Sequence, residues 1–280
     1  MCPSARITSQ IATADESTKG ADVTMSFPVE PSAAIDKATV KEGYDTLMSR
    51  VYEFITCWFL GPLIARSHTT LLRALGDSKP SRLLDLGCGT GTLLRLVGEG
   101  HPDLMVGLDF SIEMLERASR KIERAGQKEA SEFVLGDVEA MPFRDSSFGA
   151  STCTGTLRFL PNPALAMHET FRILKEDGHL GVREMAGGDE PRRIRHIPLP
   201  FKSSFVVWRL LPDRTLELLL RAAGFEGVSS FRGGSVPQFV IAMGPPLRKY
   251  VFFFGTKPVS QPSEEPITEP LAISDCGLQA

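Results

Sequence analysis

The chain has 280 residues, 42% hydrophobic and 23% charged, an ordinary globular composition with enough apolar material for a sizeable core. Its 31 basic and 34 acidic residues leave a formal charge of −3, without the basic footprint of a nucleic-acid binder, so no nucleic acid is expected as partner. Five scattered cysteines, Cys2, Cys57, Cys88, Cys153 and Cys276, form no CxxC pair, and no His cluster has ligand spacing, so neither a metal nor a disulfide framework is expected and a reducing, cytoplasmic setting is the default.

Residues 1–37 are rich in Ser, Thr, Ala and Asp without periodicity and read as a flexible leader. The most hydrophobic stretch, Phe54–Ala65, is broken by Gly61 and Pro62 and falls well short of the roughly 20 residues that span a bilayer, so no transmembrane helix is expected. From 76 to 245, short apolar runs alternate with amphipathic helical patterns. Strand 83–86 precedes helix 92–99, and strand 104–109 precedes a helix capped by Ser111 with apolar positions Ile112, Leu115, Ala118 and Ile122. Strands follow at 132–135 and 148–154, then a helix through Ala164, Met167, Phe171 and Leu174 and a strand at 180–184. After an irregular basic segment, 192–196, come helix 212–223 and a terminal hairpin of 227–232 with 238–243. Prolines 258, 262, 266 and 270 mark residues 246–280 as a tail. The fold class is α/β, one doubly wound, mostly parallel sheet ending in an antiparallel hairpin.

In such a sheet, ligands bind at the carboxyl ends of the strands where the chain order reverses. The first strand runs into Asp85-Leu86-Gly87-Cys88-Gly89-Thr90-Gly91, whose glycines admit positive φ and let a ligand approach the backbone. A dinucleotide loop would read GxGxxG; here the third glycine comes one residue early and Thr92 takes its place. Asp85 would oppose a diphosphate but attract an ammonium or sulfonium, which favours a cationic nucleoside over NAD. Asp109 ends the second strand, 24 residues beyond Asp85, where a carboxylate can accept both ribose hydroxyls. After the third strand, Gly136-Asp137-Val138 offers an acceptor for an exocyclic amine beside an apolar wall.

The stretches LLDLGCGTG, VGLDFSIEMLERA, FVLGDVEAMPF and SFGASTCTGTLRFLPNPALAMHETFRILKEDGHLGV stand in this order over about 110 residues. They resemble the class I S-adenosylmethionine-dependent methyltransferases, in particular the ubiquinone/menaquinone-type small-molecule group. The resemblance implies a Rossmann-like seven-stranded sheet over 76–245 and S-adenosyl-L-methionine as cofactor. It implies that Gly87, Gly89 and Gly91 lie along the methionine moiety with Asp85 near its ammonium, Cys88 serving loop packing, and Asp109 holding the ribose. Phe110 and Met114 would pack near the adenine, Asp137 accept from its amino group, Val138 donate its backbone N–H, and Thr154 lie under the sulfonium.

The acceptor stays open. The group's His pair is replaced in Thr154-Gly155-Thr156-Leu157-Arg158-Phe159-Leu160 by Arg158 at the first His position, so no catalytic base is assigned. Upstream, Tyr44–Glu53 resembles the group's YDxxAxxYD lid helix, which makes 38–75 a pair of lid helices and Tyr44 and Tyr52 candidates to contact the substrate. Arg158 and the basic run Arg192, Arg193, Arg195 and His196 are candidates for an anionic substrate group. Phe59-Leu60-Gly61-Pro62-Leu63 is similar to the opening of bacterial phospholipid N-methyltransferases and, with the apolar run 250–254, hints at a lipidic substrate. The expectation is a methyl transferase acting on a small or lipid-like molecule. Its alternatives are a phospholipid or amine N-methyltransferase in peripheral contact with a membrane, and a cofactor-binding relative that has lost transfer.

Overall fold

Alternation along β2 (Arg82–Leu86) sends Leu84 and Leu86 into the main core cluster, with Met167 and Leu216, and leaves the buried Asp85 pointing to the opposite face. That one strand sets the plan of the site. The computed structural model describes residues 7–9, 36–43, 61–75, 80–97, 102–185, 192–198, 205–233 and 250–259.

From β2 the chain winds outward through α3 (Thr92–Val97), β3 (Leu104–Asp109), α4 (Ile112–Arg124) and β4 (Ser131–Leu135). It then crosses back to β5 (Phe148–Thr154) on the other side of β2, and continues through α5 (Pro163–Ile173) to β6 (Leu174–Met185). Beyond it lie α6 (Asp213–Ala222), β9 (Glu226–Gly233) and β10 (Tyr250–Thr256). The sheet order is β1-β4-β3-β2-β5-β6-β10-β9, where β1 (Ile7–Ser9) pairs parallel with β4, and β10 runs antiparallel to both β6 and β9. The order reverses between β2 and β5, so the ligand crevice belongs at their carboxyl ends.

Two faces are covered for legible reasons. On one, α5 and α6 bury Ala164, Met167, Leu216, Leu219 and Leu220 against Leu84, Leu86 and Val182. On the other, α4 is capped by Ser111, whose Oγ accepts from Met114 N at 3.3 Å, and buries Leu115, Ala118 and Ile122 against Met105 and Phe133. Beside it, α2 (Gly61–Ala74) sets Leu71 against Leu93, Tyr250 and Phe252.

Three expectations need correction. The second hairpin strand expected at 238–243 lies outside the described residues; among these, the antiparallel strand beside β9 is Tyr250–Thr256, inside the span expected as tail. Its continuous apolar run is buried on both faces, as an interior strand requires, and so gives no hint of a lipidic substrate. The leader contributes the edge strand β1, three residues too short to show a period; with it the sheet has eight strands among the described residues, six of them where strands were expected. The basic run expected as irregular is β7 (Arg192–Pro198), which forms a separate two-stranded sheet with β8 (Phe205–Leu210). In turn, β8 lies beside α1 (Lys37–Gly43) and the short helical turn 157–159, at the carboxyl end of the main sheet.

Candidate cofactor and transfer site

The turn after β2 exists because three glycines accept left-handed backbone: φ is +61° at Gly87, +53° at Gly89 and +69° at Gly91. Each does a different job. A β-carbon at Gly87 would meet Thr156 Oγ1 at 2.4 Å, and one at Gly91 would meet Ala118 Cβ at 3.0 Å, so these two let β5 and α4 close on the loop. At Gly89 nothing stands within 4 Å of the same position, which leaves a bare backbone cradle open to a ligand. The loop is tied down by Cys88 N to Leu108 O at 3.0 Å and by Lys121 Nζ, which donates to Thr90 Oγ1 at 2.8 Å and Thr92 Oγ1 at 3.2 Å.

Cys88 is enclosed by this packing; its Sγ would lie 2.8 Å from a β-carbon on Gly107. Burial first, then the charges of Asp109 and Asp85, push its thiol well above the ordinary range, so it is a packing residue and no nucleophile.

The three expected carboxylates stand at or just beyond the ends of β2, β3 and β4, in distinct states. Asp85 Oδ1 accepts from Thr152 Oγ1 at 2.8 Å, while Oδ2 is buried with no hydrogen-bond partner. Burial, against the Thr152 bond and helped by Asp109, pushes its pKa up to about 7. A buried acceptor without a donor is costly, and an ammonium placed there would satisfy it. Asp109 accepts from Gly89 N at 2.8 Å through Oδ2 and from Ser111 N at 3.0 Å through Oδ1, so the same carboxylate shapes the loop and the cap of α4. Asp137 accepts from Glu139 N at 2.9 Å and from Lys37 Nζ, which also pairs with Glu139. An N-terminal helix thus reaches the position expected to meet an adenine amine.

Of the flanking residues, Phe110 is half-buried, whereas Met114 is 2% exposed on the inner side of α4 and has almost no surface left for a base. Val138 is buried in the core cluster. Thr154 is half-buried at the end of β5, in register with Arg183. Tyr44 and Tyr52 lie outside the described residues. Arg158, expected as a candidate for an anionic substrate, is instead enclosed: its Nη2 pairs with Glu184 Oε2 at 2.9 Å, and Glu184 Oε1 accepts from Leu157 N at 3.0 Å. That pair fixes the turn after Thr154.

Several site residues escaped the sequence reading. Lys37 falls in the span expected as a leader, Lys121 on a helix read only for its packing, and Glu139 in a stretch read only for its resemblance. Thr152 was legible in principle, because the β2–β5 register sets it opposite Asp85. Arg183 donates to Ser67 Oγ at 2.9 Å and stacks its guanidinium 4.7 Å from the Tyr250 ring. Beside it His68 is buried with both ring nitrogens unpartnered, and burial, then the Arg183 charge, holds it well below the usual range and neutral.

Residues 84–182 match the family described as Methyltransferase domain. The demethylmenaquinone methyltransferase of Lactococcus lactis is 32% identical over 184 residues, covering 58% of this chain and 73% of that protein. The chain belongs to the S-adenosylmethionine-dependent methyltransferases of the ubiquinone/menaquinone type. Sterol 24-C-methyltransferase of Aspergillus fumigatus is 32% identical over 176 residues, 56% of this chain and 47% of that one. Among solved structures, the [4+2]-cyclase SpnF superposes with a TM-score of 0.65 at 23% identity over 84% of this chain and 99% of its own, a likeness of fold alone. Membership in the family brings its cofactor, S-adenosylmethionine. The orphaned Asp85 Oδ2 and the open cradle at Gly89 fit that cation. Among the described residues no helix is long and apolar enough to cross a membrane.

Proposed function

We infer that this methyltransferase acts on a small lipid-like acceptor, of the kind named for its quinone and sterol relatives. The observation that carries the reading is the likeness to the demethylmenaquinone enzyme over 73% of that protein's length. The cofactor, when bound, supplies an electrophilic methyl group. Asp85 would take its ammonium on Oδ2, Asp109 its ribose hydroxyls, and Asp137 its exocyclic amine, exchanging part of the Lys37 contact. Gly89 would give the backbone approach, and the Arg158–Glu184 pair, which fixes the turn after Thr154, would keep Thr154 in its expected place under the sulfonium.

What remains for the protein is alignment of the acceptor's electron pair with the breaking bond, together with exclusion of water. No base is assigned, because the first His position is the Arg158 of a buried ion pair. This favours an acceptor that arrives with its own nucleophilic electron pair, such as the ring carbon of a quinol anion.

The test is transfer of label from S-adenosylmethionine into a lipid extract, with demethylmenaquinone as a defined acceptor, alongside metabolite profiling of a deletion strain for a mass deficit of one methylene. Label in an apolar product supports the reading. Label in a phospholipid amine would replace it with the N-methyltransferase alternative, and tight cofactor binding without product would replace it with a non-catalytic relative.

A further inference from the structure

We propose that the groove between α3 and α4 binds an anion carrying more than one phosphoryl group, and that its occupancy is transmitted to the cofactor loop through Lys121. The groove encloses about 400 Å³ and is lined by Arg95 of α3 and by Arg117, Arg120, Lys121, Arg124 and Ala125 at the end of α4. Among the described residues, five cations and no carboxylate line it, on a chain whose overall charge is −3.

Positions 117, 120, 121 and 124 share one helix face, where like charges oppose one another. The negative end of the helix accounts for Lys121 and Arg124 in its last turn, but not for Arg117 and Arg120, nor for Arg95 on another helix. Glu116 answers Arg120 only at 3.4 Å on the exposed surface. Arg95 and Arg124 have no ion pair and no side-chain hydrogen bond among the described residues. Guanidinium forks match phosphoryl oxygens in pairs, and an anion with more than one phosphoryl group can engage Arg95 and Arg124 on the two helices at once.

The groove and the cofactor loop share a wall. Ala118 of α4 is the atom set that a β-carbon on Gly91 would strike at 3.0 Å, and Lys121, three residues on, both lines the groove and donates to Thr90 and Thr92. An anion that holds Lys121 and α4 therefore favours the ordered loop, and linkage requires the cofactor to tighten anion binding by the same factor. The anion site stands on its own residues; the coupling rests on the cofactor reading above.

The experiment is calorimetry on the full chain with pyrophosphate at constant ionic strength, without cofactor. Saturable binding is expected, weakened about tenfold or more by Arg95→Glu and by Arg124→Glu, each with an unchanged circular dichroism spectrum. No saturable binding, or binding indifferent to both reversals, overturns the site. Sedimentation with phosphatidylcholine vesicles, plain or containing cardiolipin, distinguishes the sources: cardiolipin-dependent binding lost in Arg124→Glu identifies a lipid headgroup, and pyrophosphate binding alone a free ligand. Saturating pyrophosphate should then tighten S-adenosylmethionine binding several-fold in the natural chain and leave Lys121→Met unchanged. An equal shift in both, or none in either, removes the coupling, whereas a chain that binds pyrophosphate but no S-adenosylmethionine would sink the cofactor reading and leave the groove.

Discussion

The hydroxyl oxygen of Thr156 stands 2.4 Å from where a β-carbon of residue 87 would be, and the same hydroxyl donates to Leu86 O at 3.1 Å. The start of the cofactor loop is thus closed from the far side of the switch point, by the turn after β5.

That contact predicts a graded result. Gly87→Ala combines a positive φ with an overpacked contact and should cost about 2–4 kcal/mol of stability, read by chemical denaturation. Adding Thr156→Ala should recover part of it by removing the clash. Gly89→Ala has only its backbone strain to carry, so it should unfold at a temperature nearer the natural chain while losing S-adenosylmethionine affinity, because its methyl group fills the cradle. Equal affinity for Gly89→Ala and the natural chain in calorimetry would show that the ligand lies elsewhere.

Asp85 predicts a pH dependence. Its carboxyl is pushed by burial from 3.8 up to about 7, so the free protein holds this proton more tightly than the unfolded chain does. The resulting stability is fully present below about 3.8 and is lost as pH rises through about 7. An ammonium beside Oδ2 favours the ionised form, so cofactor binding should release a proton below that pH, and affinity should climb as pH rises through it. Calorimetry in buffers of different ionisation enthalpy measures the release, and Asp85→Asn should abolish both release and climb.

For Asp109 the expected loss comes from two bonds rather than from charge alone. Asp109→Asn retains one acceptor oxygen for the two N–H groups of Gly89 and Ser111, leaving one of them unpaired at a cost of about 1–3 kcal/mol. Cofactor affinity should fall about ten- to a hundredfold, the ribose acceptor being weakened as well. Unchanged affinity in a titration would reject its place in the site.

The Arg158–Glu184 pair predicts non-additivity. Glu184→Gln keeps an acceptor for Leu157 N but strands a buried guanidinium, and should cost about 3–5 kcal/mol in denaturant midpoints, while the double variant Arg158→Met/Glu184→Gln should cost less. A double variant no better than the single one would argue against the pair as the lock on this turn.

Much of this site could be read from the chain because its chemistry is local. Glycines two apart after an apolar strand permit only a few backbone paths, and a carboxylate at the end of an apolar run, as with Asp109, emerges at a strand tip whatever lies around it. Elements with a strong period, such as the Ser111-capped helix, formed where their spacing predicted. The three-residue β1 and the continuously apolar β10 were missed because neither shows an alternation: one is too short, the other buried on both faces.

By itself, then, the order of residues determined the α/β winding, the glycine turn and the acidic strand ends, since each depends on neighbours a few positions apart. Only the tertiary structure decided which of those groups are still unsatisfied. Lys37 reaches Asp137 across 100 positions and Thr152 reaches Asp85 across 67, so the state of each carboxylate is set by partners that chain proximity cannot supply. Desolvation works the same way: Asp85 titrates near neutrality because the sheet and its helices remove water from around it, a property of packing rather than of any motif.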